Sequence, residues 1–440
     1  MFSKNNIKYI LILAIGFFWC SSLYLTQEQY LVNYAETNFI NIVELLFGSL
    51  SMALGILLFG LLYKHNRNMK MYYIMFMILS IVFMISFFAT KNIYLMSICM
   101  CLTCLFGTAG FGAGFHFSLI GSNVLKEYRG RVFALGYGLG SIGTYLVVLL
   151  PESFYSSIES LILYIPMLLL NLYLVIKYTK LYQIKEEKYT LSFKDYFIRL
   201  SIMVLVMALL SALATDVIAL NTINISGGYG NTRIYYCLGL LVAGYLADKK
   251  NSLFEILTIV SFIFSLLTII LLKDGYSIKL IAGLSYSFVA FFVVYRTISF
   301  MSYVDNKKNM MFACAFGLMY SRIMEGLMVL FEDKLISHYT LLIVVFMILL
   351  SLVIVLYFLF YYQKNIMSEN DAIKNISIKY KLGSQEEKVL ALLIQGLSNQ
   401  EIADTLYVSV NTIRNHIANI YKKTGMKKKE LKEKCFFKTN

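Results

Sequence analysis

The chain has 440 residues, 59% of them hydrophobic and only 15% charged, with 2 prolines and a mean hydropathy of +0.69. Soluble domains are about a quarter charged, so this composition excludes an ordinary soluble globular protein and points to a chain that crosses a membrane. The net charge is +14 and unevenly placed: from Ser409 onward there are 9 basic residues against 2 acidic ones. On charge alone, such a terminus can be a solvated tail beside anionic lipid.

A membrane-spanning helix needs roughly 20 apolar residues. That window predicts twelve transmembrane helices, at about 7–26, 38–63, 71–90, 92–120, 132–150, 156–178, 197–220, 230–247, 252–273, 278–303, 309–331 and 337–362. Lys4 and Lys8 followed by an apolar run imitate a signal peptide, but with so many spans behind it this segment is expected to be a retained first helix. The loops test the count. With the N-terminus inside, the cytoplasmic loops hold Lys64, Arg67 and Lys70; Lys126, Arg129 and Arg131; Lys177, Lys180, Lys185, Lys188 and Lys194; Lys249 and Lys250; Lys307 and Lys308. The opposite loops hold Glu28, Glu36, Glu152, Asp274, Glu332 and Asp333. This is the positive-inside bias, and it puts both termini in the cytoplasm. The longest cytoplasmic loop, about 179–196, divides the bundle into two halves of six helices.

No catalytic constellation is visible: the histidines His65, His116, His338 and His416 are scattered, and there is no phosphate-binding loop or nucleophile elbow. No cofactor or metal site is expected. The cysteines are Cys20, Cys99, Cys101, Cys104, Cys237, Cys314 and Cys435. The cluster at Cys99, Cys101 and Cys104 reads as small apolar packing residues or as a redox or metal sensor. Ionisable groups inside a membrane are costly and default to functional suspicion. Arg322 and Glu325 share one face of the eleventh helix and can pair, either structurally or as a ligand or proton site suited to an anionic or zwitterionic molecule. His116 and Asp216 complete the candidate ligand pocket. Arg296, late in the tenth helix, can snorkel toward the cytoplasm, and Glu44 has a structural reading too.

After the eighth span the chain reads Gly244-Tyr-Leu-Ala-Asp248-Lys249-Lys250, and after the second Gly60-Leu-Leu-Tyr-Lys64-His-Asn-Arg67. The fifth carries Arg129-Gly130-Arg131 and then Gly136, Gly138, Gly140 and Gly143. With the 6+6 division, residues 1–362 resemble the major facilitator superfamily, whose loop motif has Gly for close helix approach and Asp to pair with basic residues or a helix end. Lys64 stands at the acidic position of the first copy, which is therefore degenerate.

Residues 363–380 are polar and read as a linker; if flexible, such a stretch reaches roughly 25 Å. Then come three helix starts. Ser384 with Glu387 and Ser398 with Glu401 have capping-box spacing, and Ser409 is a third N-cap. Val389, Leu390, Leu393 and Ile394 repeat at helical spacing before Gly396 stops the first helix. Ile402, Ala403 and Leu406 share a face of the second. In the third, Val410 to about Thr424, Ile413, Ile417, Ile420 and Tyr421 form one face, and Thr412, Arg414, Asn415, Ala418, Asn419 and Lys422 the other. A short fourth helix is predicted near Lys428–Cys435. Two short helices, a tight turn and a third helix with a polar, basic face is helix-turn-helix geometry.

Residues 382–431 closely resemble the LuxR-type (GerE-type) DNA-binding domain, through Glu386, Val389, Leu390, Gly396, Ser398-Asn399-Gln400-Glu401-Ile402-Ala403, Leu406, Val408-Ser409, Thr412-Ile413-Arg414, His416, Asn419-Ile420-Tyr421, Lys423 and Gly425. Gly383, Gln385 and Thr424 depart from the pattern, and Thr424 is expected to loosen the core slightly. The resemblance implies a third helix in the major groove. Arg414, Asn415 and Ala418 face base edges there, since Arg suits guanine, Asn adenine, and Ala a thymine methyl. Thr412, Lys422 and Lys423 meet phosphates. His416 is structural or phosphate-contacting. A dimer on double-stranded DNA is implied as well.

The expectation is therefore an all-α protein: a twelve-helix, major facilitator-like bundle (1–362), a linker (363–380) and a four-helix DNA-binding domain (381–440). It is expected in the bacterial inner membrane, as a one-component transcription regulator answering an unidentified small molecule, or else as a transporter carrying a DNA-binding domain for feedback.

Overall fold

The computed structural model describes residues 4–36, 39–40, 42–65, 68–155, 157–178, 191–222, 228–249, 251–273, 278–304, 308–331, 338–428 and 430–431, and among these every regular element is helical. The chain divides into two compact units, Met1–Ile354 and Val355–Asn440.

The first unit holds α1 (Lys4–Leu31), a π-helical turn (Ile42–Gly48) running into α2 (Ser49–His65), α3 (Met69–Ala89), α4 (Ile93–Phe106), α5 (Phe111–Asn123), α6 (Lys126–Val148), α7 (Leu161–Tyr178), α8 (Leu191–Thr222), α9 (Gly228–Lys249), α10 (Asn251–Lys273), α11 (Ile278–Val304), and a 3-10 segment (Lys308–Ala315) leading into α12 (Phe316–Met328). The start of α13 (Tyr339–Lys379) closes it. Among the described residues, ten spans are long and apolar enough to cross a membrane. The eighth and eleventh predicted spans form helices outside that criterion. Asn231, Thr232 and Arg233 make the start of α9 polar, and the 3-10 segment shortens α12. Leu57, Val82, Leu169, Ile263 and Ile348 are exposed on these helices, as lipid-facing positions require.

The fourth span is not one helix, as the window predicted, but two, broken at Gly107–Gly110. The reason is crowding. A Cβ on Gly107 would lie 2.8 Å from the Trp19 ring, and one on Gly110 2.4 Å from the Leu105 carbonyl oxygen. Irregular backbone at membrane depth persists where it is buried in protein or lines a cavity, and here the Thr108 hydroxyl donates to the Gly16 carbonyl at 2.7 Å.

The glycines of α6 let it pack closely on both sides, against α1 and against α9. The tightest point is the crossing with α9, where a Cβ on Gly130 would sit 2.4 Å from the Gly244 carbonyl oxygen and one on Gly244 2.4 Å from the Ala134 Cβ. At this crossing the two halves of the bundle meet backbone to backbone.

In the second unit, the polar stretch 363–380 is not a coil: α13 continues to Lys379. Ile373 and Ile376 near its end belong to the apolar core that also contains Val389, Leu393, Ile402, Ile413, Ile420 and Leu431. This burial gives the stretch a helical face that its polar composition conceals. Three further helices follow, α14 (Ser384–Ile394), α15 (Asn399–Leu406) and α16 (Val410–Thr424). Of the predicted fourth helix, Lys427–Leu431 begins a turn, with the Leu431 N–H donating to the Lys427 carbonyl at 3.0 Å; residues 432–435 lie outside the described residues.

Candidate functional site

A small cavity of about 20 Å³, room for a water or two, lies inside the first unit. Cys20 and Phe17 of α1, Thr108 at the break of the fourth span, His116 of α5, Tyr137 of α6 and Arg322 of α12 are on its lining. Two of the four predicted pocket residues, His116 and Arg322, thus meet at one cavity although they are far apart in the chain. Glu325 joins them through Arg322, whose Nη1 donates to its carboxylate at 2.6 Å. Asp216 lies on α8, with its side chain outside the described residues, as is that of Glu44.

His116 is held from behind by a buried chain of hydrogen bonds. The Tyr73 hydroxyl donates to Asn171 Oδ1 at 2.5 Å and lies 2.9 Å from His116 Nε2, while Asn171 Nδ2 donates to the Ile12 carbonyl at 2.8 Å. Because the tyrosine proton goes to Asn171, the imidazole must be the donor to the tyrosine oxygen, which assigns its proton to Nε2. Sequence reasoning missed Tyr73, Asn171, Thr108 and Tyr137, none of which is unusual in an apolar helix. It noticed Arg296 but gave it the wrong environment. Arg296 does not snorkel: it is 5% exposed, its guanidinium lies 5.6 Å from the Phe292 ring centroid, and its Nε has no partner among the described residues. A phenylalanine one turn before an arginine was the available signal.

The Asp248 motif forms a second feature, at the α6–α9 crossing. Its carboxylate accepts from the Gly130 N–H at 2.7 Å, the Arg131 N–H at 3.0 Å and Arg131 Nε at 2.7 Å. Nearby, Arg129 donates to the carbonyls of Gly121 at 2.5 Å and Val124 at 2.9 Å, and across the halves to Met301 at 3.5 Å. Lys64, at the equivalent point of the first copy, has its side chain outside the described residues.

Among the described residues no group of His, Cys, Asp and Glu is arranged to hold a metal, and Cys20, Cys99, Cys101, Cys104, Cys237 and Cys314 are not joined in disulfides.

In the second unit, local chemistry sets the helix ends. At α15 the Ser398 hydroxyl accepts the Glu401 N–H at 3.3 Å while the Glu401 carboxylate accepts the Ser398 N–H at 2.7 Å, the predicted reciprocal box. At α14 the cap sits one residue earlier than expected: the Gly383 N–H donates to Glu386 at 2.7 Å, so Gly383 and not Ser384 is the N-cap. Gly396 (φ 97°) and Gly425 (φ 67°) end α14 and α16 in the left-handed region, and Tyr407 (φ 55°) makes the turn between α15 and α16. The Ser409 hydroxyl accepts the Thr412 N–H at 3.1 Å.

α16 buries Ile413, Ile417, Ile420 and Thr424 and exposes Arg414, Asn415, Ala418, Asn419 and Lys422. Asn411, not singled out from the sequence, is exposed one turn ahead of them. Its spacing of three to four residues from Arg414 and Asn415 was the available sign. Two predicted phosphate contacts already have partners. The Thr412 hydroxyl lies 2.8 Å from that of Ser409, and Lys423 Nζ donates to Glu386 at 2.5 Å. Lys423 and the Gly383 amide hold the Glu386 carboxyl below its usual range. His416 is half-buried and lies within electrostatic range of the same carboxylate. Thr424 is buried, and its hydroxyl donates to the Ile420 carbonyl at 2.7 Å.

An amphipathic helix with an exposed Arg/Asn/Lys face, seated on two shorter capped helices, is a DNA-binding helix-turn-helix, here fused to a multi-pass membrane bundle. Residues 381–430 match the family described as bacterial regulatory proteins, luxR family. The chain is 41% identical over 54 residues to the spore germination protein GerE of Bacillus subtilis (strain 168), a match covering 12% of this chain and 73% of GerE. It is 40% identical over 62 residues to the Fimbriae Z protein of Escherichia coli (strain K12), covering 14% of this chain but only 30% of that relative. Through its C-terminal domain the chain belongs to the luxR family of bacterial regulatory proteins. The membrane bundle has the major facilitator fold. The Escherichia coli fucose:proton symporter FucP matches with a TM-score of 0.55 at 12% identity, over 81% of this chain and 99% of its own. The nucleoside transporter NupG matches with a TM-score of 0.52 at 14% identity, over 82% and 99%. At such identities the likeness establishes the fold and not the activity. Neither a regulator nor a transporter-like fold is a typical enzyme.

Proposed function

We propose that this protein is a membrane-bound, one-component transcription regulator. A small molecule binds beside His116 and Arg322, shifts the equilibrium between conformations of the bundle, and thereby changes how the C-terminal domain engages its operator. The domain binds as a homodimer, with Arg414, Asn415 and Ala418 on base edges and Lys422 on phosphate; Thr412 and Lys423 approach the backbone from the flanks of the same helix. Both termini lie in the cytoplasm and the bundle in the bacterial inner membrane. The domains are the bundle to about residue 362 and the DNA-binding domain from about 381. The observation that carries the reading is the exposed polar face of α16 over an underside built on Ile413, Ile417 and Ile420.

The test is chromatin pull-down sequencing on the intact protein against the Arg414→Ala/Asn415→Ala double variant. Discrete peaks lost in the variant support sequence-specific regulation; equal peaks in both remove the assigned role of α16. The second reading is a secondary transporter that carries the DNA-binding domain for feedback. The Asp248–Arg131 pair across the halves favours it, because a cycling carrier needs a contact that opens and closes. Lys64 in the degenerate loop favours a receptor, which need not cycle. Substrate uptake by a chain truncated after Tyr362 decides for the transporter.

A further inference from the structure

The turn between α15 and α16 holds a side chain that the domain itself does not use. Its backbone closes α15 in a pattern that usually ends on glycine: the Val408 N–H donates to the Ala403 carbonyl at 3.0 Å and the Tyr407 N–H to that of Asp404 at 3.4 Å. Tyr407 takes the left-handed place in this pattern (φ 55°, ψ 46°), where a Cβ is crowded and glycine or asparagine is at ease. α14 and α16 meet the same requirement with Gly396 and Gly425. Among the described residues nothing offsets the cost at Tyr407. Its side chain is 95% exposed, the most of any described large apolar or aromatic residue, and makes no hydrogen bond or ring contact with another described residue. An unfavourable backbone carrying a side chain with no role in the fold directs attention to function.

The surroundings say what the side chain meets. Tyr407 stands two residues before Ser409, the N-cap of α16, and so flanks the end of a recognition helix that contacts base edges. The exposed residues beside it in the chain are chiefly polar, Thr405, Ser409 and Asn411; Val408, 41% exposed, is the apolar exception. The nearest acidic side chain in sequence, Asp404, accepts from Gln400 at 3.0 Å. From Ser409 onward basic residues outnumber acidic ones 9 to 2. A protein partner needs a larger apolar centre than Val408 supplies, whereas a basic surface draws phosphate. We propose that Tyr407 is a positioning residue on DNA: its hydroxyl donates to a phosphate oxygen at the rim of the major groove and fixes how α16 enters. The proposal rests on the reading of α16 as the recognition helix. It adds a contact that orients the domain without carrying base information.

The full-length protein in lipid nanodiscs is titrated with a fluorescein-labelled operator recovered by chromatin pull-down and with a scrambled duplex of equal length. Wild type is compared with Tyr407→Phe, Tyr407→Asn and the Arg414→Ala/Asn415→Ala double variant, and hydrogen exchange of α15 and α16 follows the fold. Tyr407→Phe keeps the ring and the backbone. It is expected to weaken both duplexes alike by about tenfold, the lower range for a hydrogen bond to a charged group. The slope of affinity against salt stays as in wild type, because a neutral phenol displaces no counterion. Tyr407→Asn shows the same loss of affinity while α15 and α16 exchange no faster than in wild type, since asparagine accepts the left-handed backbone. A purely structural role gives the reverse, faster exchange in Tyr407→Asn and unchanged affinity in Tyr407→Phe. Either of those results overturns the proposal, as does a loss confined to the operator, or altered self-association of Tyr407→Phe without DNA, which makes the residue a contact between copies. The double variant separates this proposal from the reading beneath it. If it loses operator preference while Tyr407→Phe binds like wild type, α16 keeps its role and the phosphate contact is wrong. If it keeps operator preference, or wild type binds neither duplex, the reading of α16 fails and the proposal falls with it.

Discussion

Asp248→Asn tests the contact that joins the two halves. The Asp248 side chain is 1% exposed, and its partner Arg131 is 27% exposed. The substitution keeps the size and one acceptor oxygen but removes the charge on which the Arg131 bond at 2.7 Å and the two amide bonds depend. A hydrogen bond to a charged group contributes about 1.5–3 kcal/mol, and the partial exposure of Arg131 argues for the lower part of that range. About 2 kcal/mol is therefore lost from the arrangement in which α6 and α9 are closed, equivalent to roughly a 30-fold shift toward parted halves. The chain provides a probe for this. Cys237 on α9 is 7% exposed and faces Gly138 on α6, where a Cβ would lie 2.8 Å from its sulfur. The rate of Cys237 alkylation by a maleimide, resolved by peptide mass spectrometry, is expected to rise by roughly that 30-fold factor. Cys314, buried elsewhere in the bundle, serves as the control for general unfolding. An unchanged Cys237 rate, or equal acceleration at Cys237 and Cys314, refutes the assignment of Asp248 as a clasp between halves.

Other substitutions test separate steps of the argument. Gly130→Ala places a Cβ 2.4 Å from the Gly244 carbonyl, a backbone atom that has no rotamer to escape into; a loss of about 1–3 kcal/mol is expected as a lower unfolding midpoint in detergent. Arg414→Ala and Asn415→Ala should each cost about 1–3 kcal/mol of discrimination at one base pair, measured as anisotropy on operators recovered by pull-down. Lys422→Ala should weaken all sequences evenly and flatten the salt dependence by about one ion. Glu386 has a depressed folded pKa, caused first by Lys423 and then by the Gly383 N–H. Its contribution to stability is complete above the unfolded value, near 4.3, and disappears as pH falls through the folded value. Hydrogen exchange of α14 and α16 should show that loss on acidification, and Glu386→Gln should remove it.

Legibility from sequence differed between the two units for a physical reason. In the C-terminal unit the signals are local. The Ser398 and Ser409 hydroxyls, Gly396, and the isoleucines three and four apart act within a turn of where they stand, so caps, stops and faces could be read directly. The misreadings there came from competition between adjacent choices. Glu386 reaches the Gly383 amide instead of Glu387 reaching that of Ser384, and the polar residues of 363–380 obscured the Ile373/Ile376 face that makes the stretch helical. In the membrane bundle hydropathy located the spans, but a window averaged over some twenty residues cannot register a four-residue break such as Gly107–Gly110. That break needs the Trp19 ring against it, a contact made by a different helix. His116 and Arg322 were suspected for their cost in lipid. Their meeting at one cavity depends on the packing of α1, α5, α6 and α12, which no local pattern encodes.

The cavity and the clasp together limit what a ligand must do. Both involve α6: Tyr137 faces the cavity, while Gly130 and Arg131, two turns earlier, hold Asp248. A ligand moves an equilibrium only by the difference in its affinity for the two conformations. If the clasp contributes about 2 kcal/mol to the closed form, a ligand that opens the bundle must bind the parted form at least about 30-fold more tightly. One that holds it closed needs no such margin, because the clasp already favours that state. On the proposed reading the second case is the easier one physically. The Arg322–Glu325 pair is intact in the closed arrangement, and a ligand that holds the bundle so leaves the α6–α9 contact untouched. The sign of the Cys237 response then distinguishes them: protection on adding ligand means that it stabilises the closed bundle, and acceleration means that it has overcome the clasp.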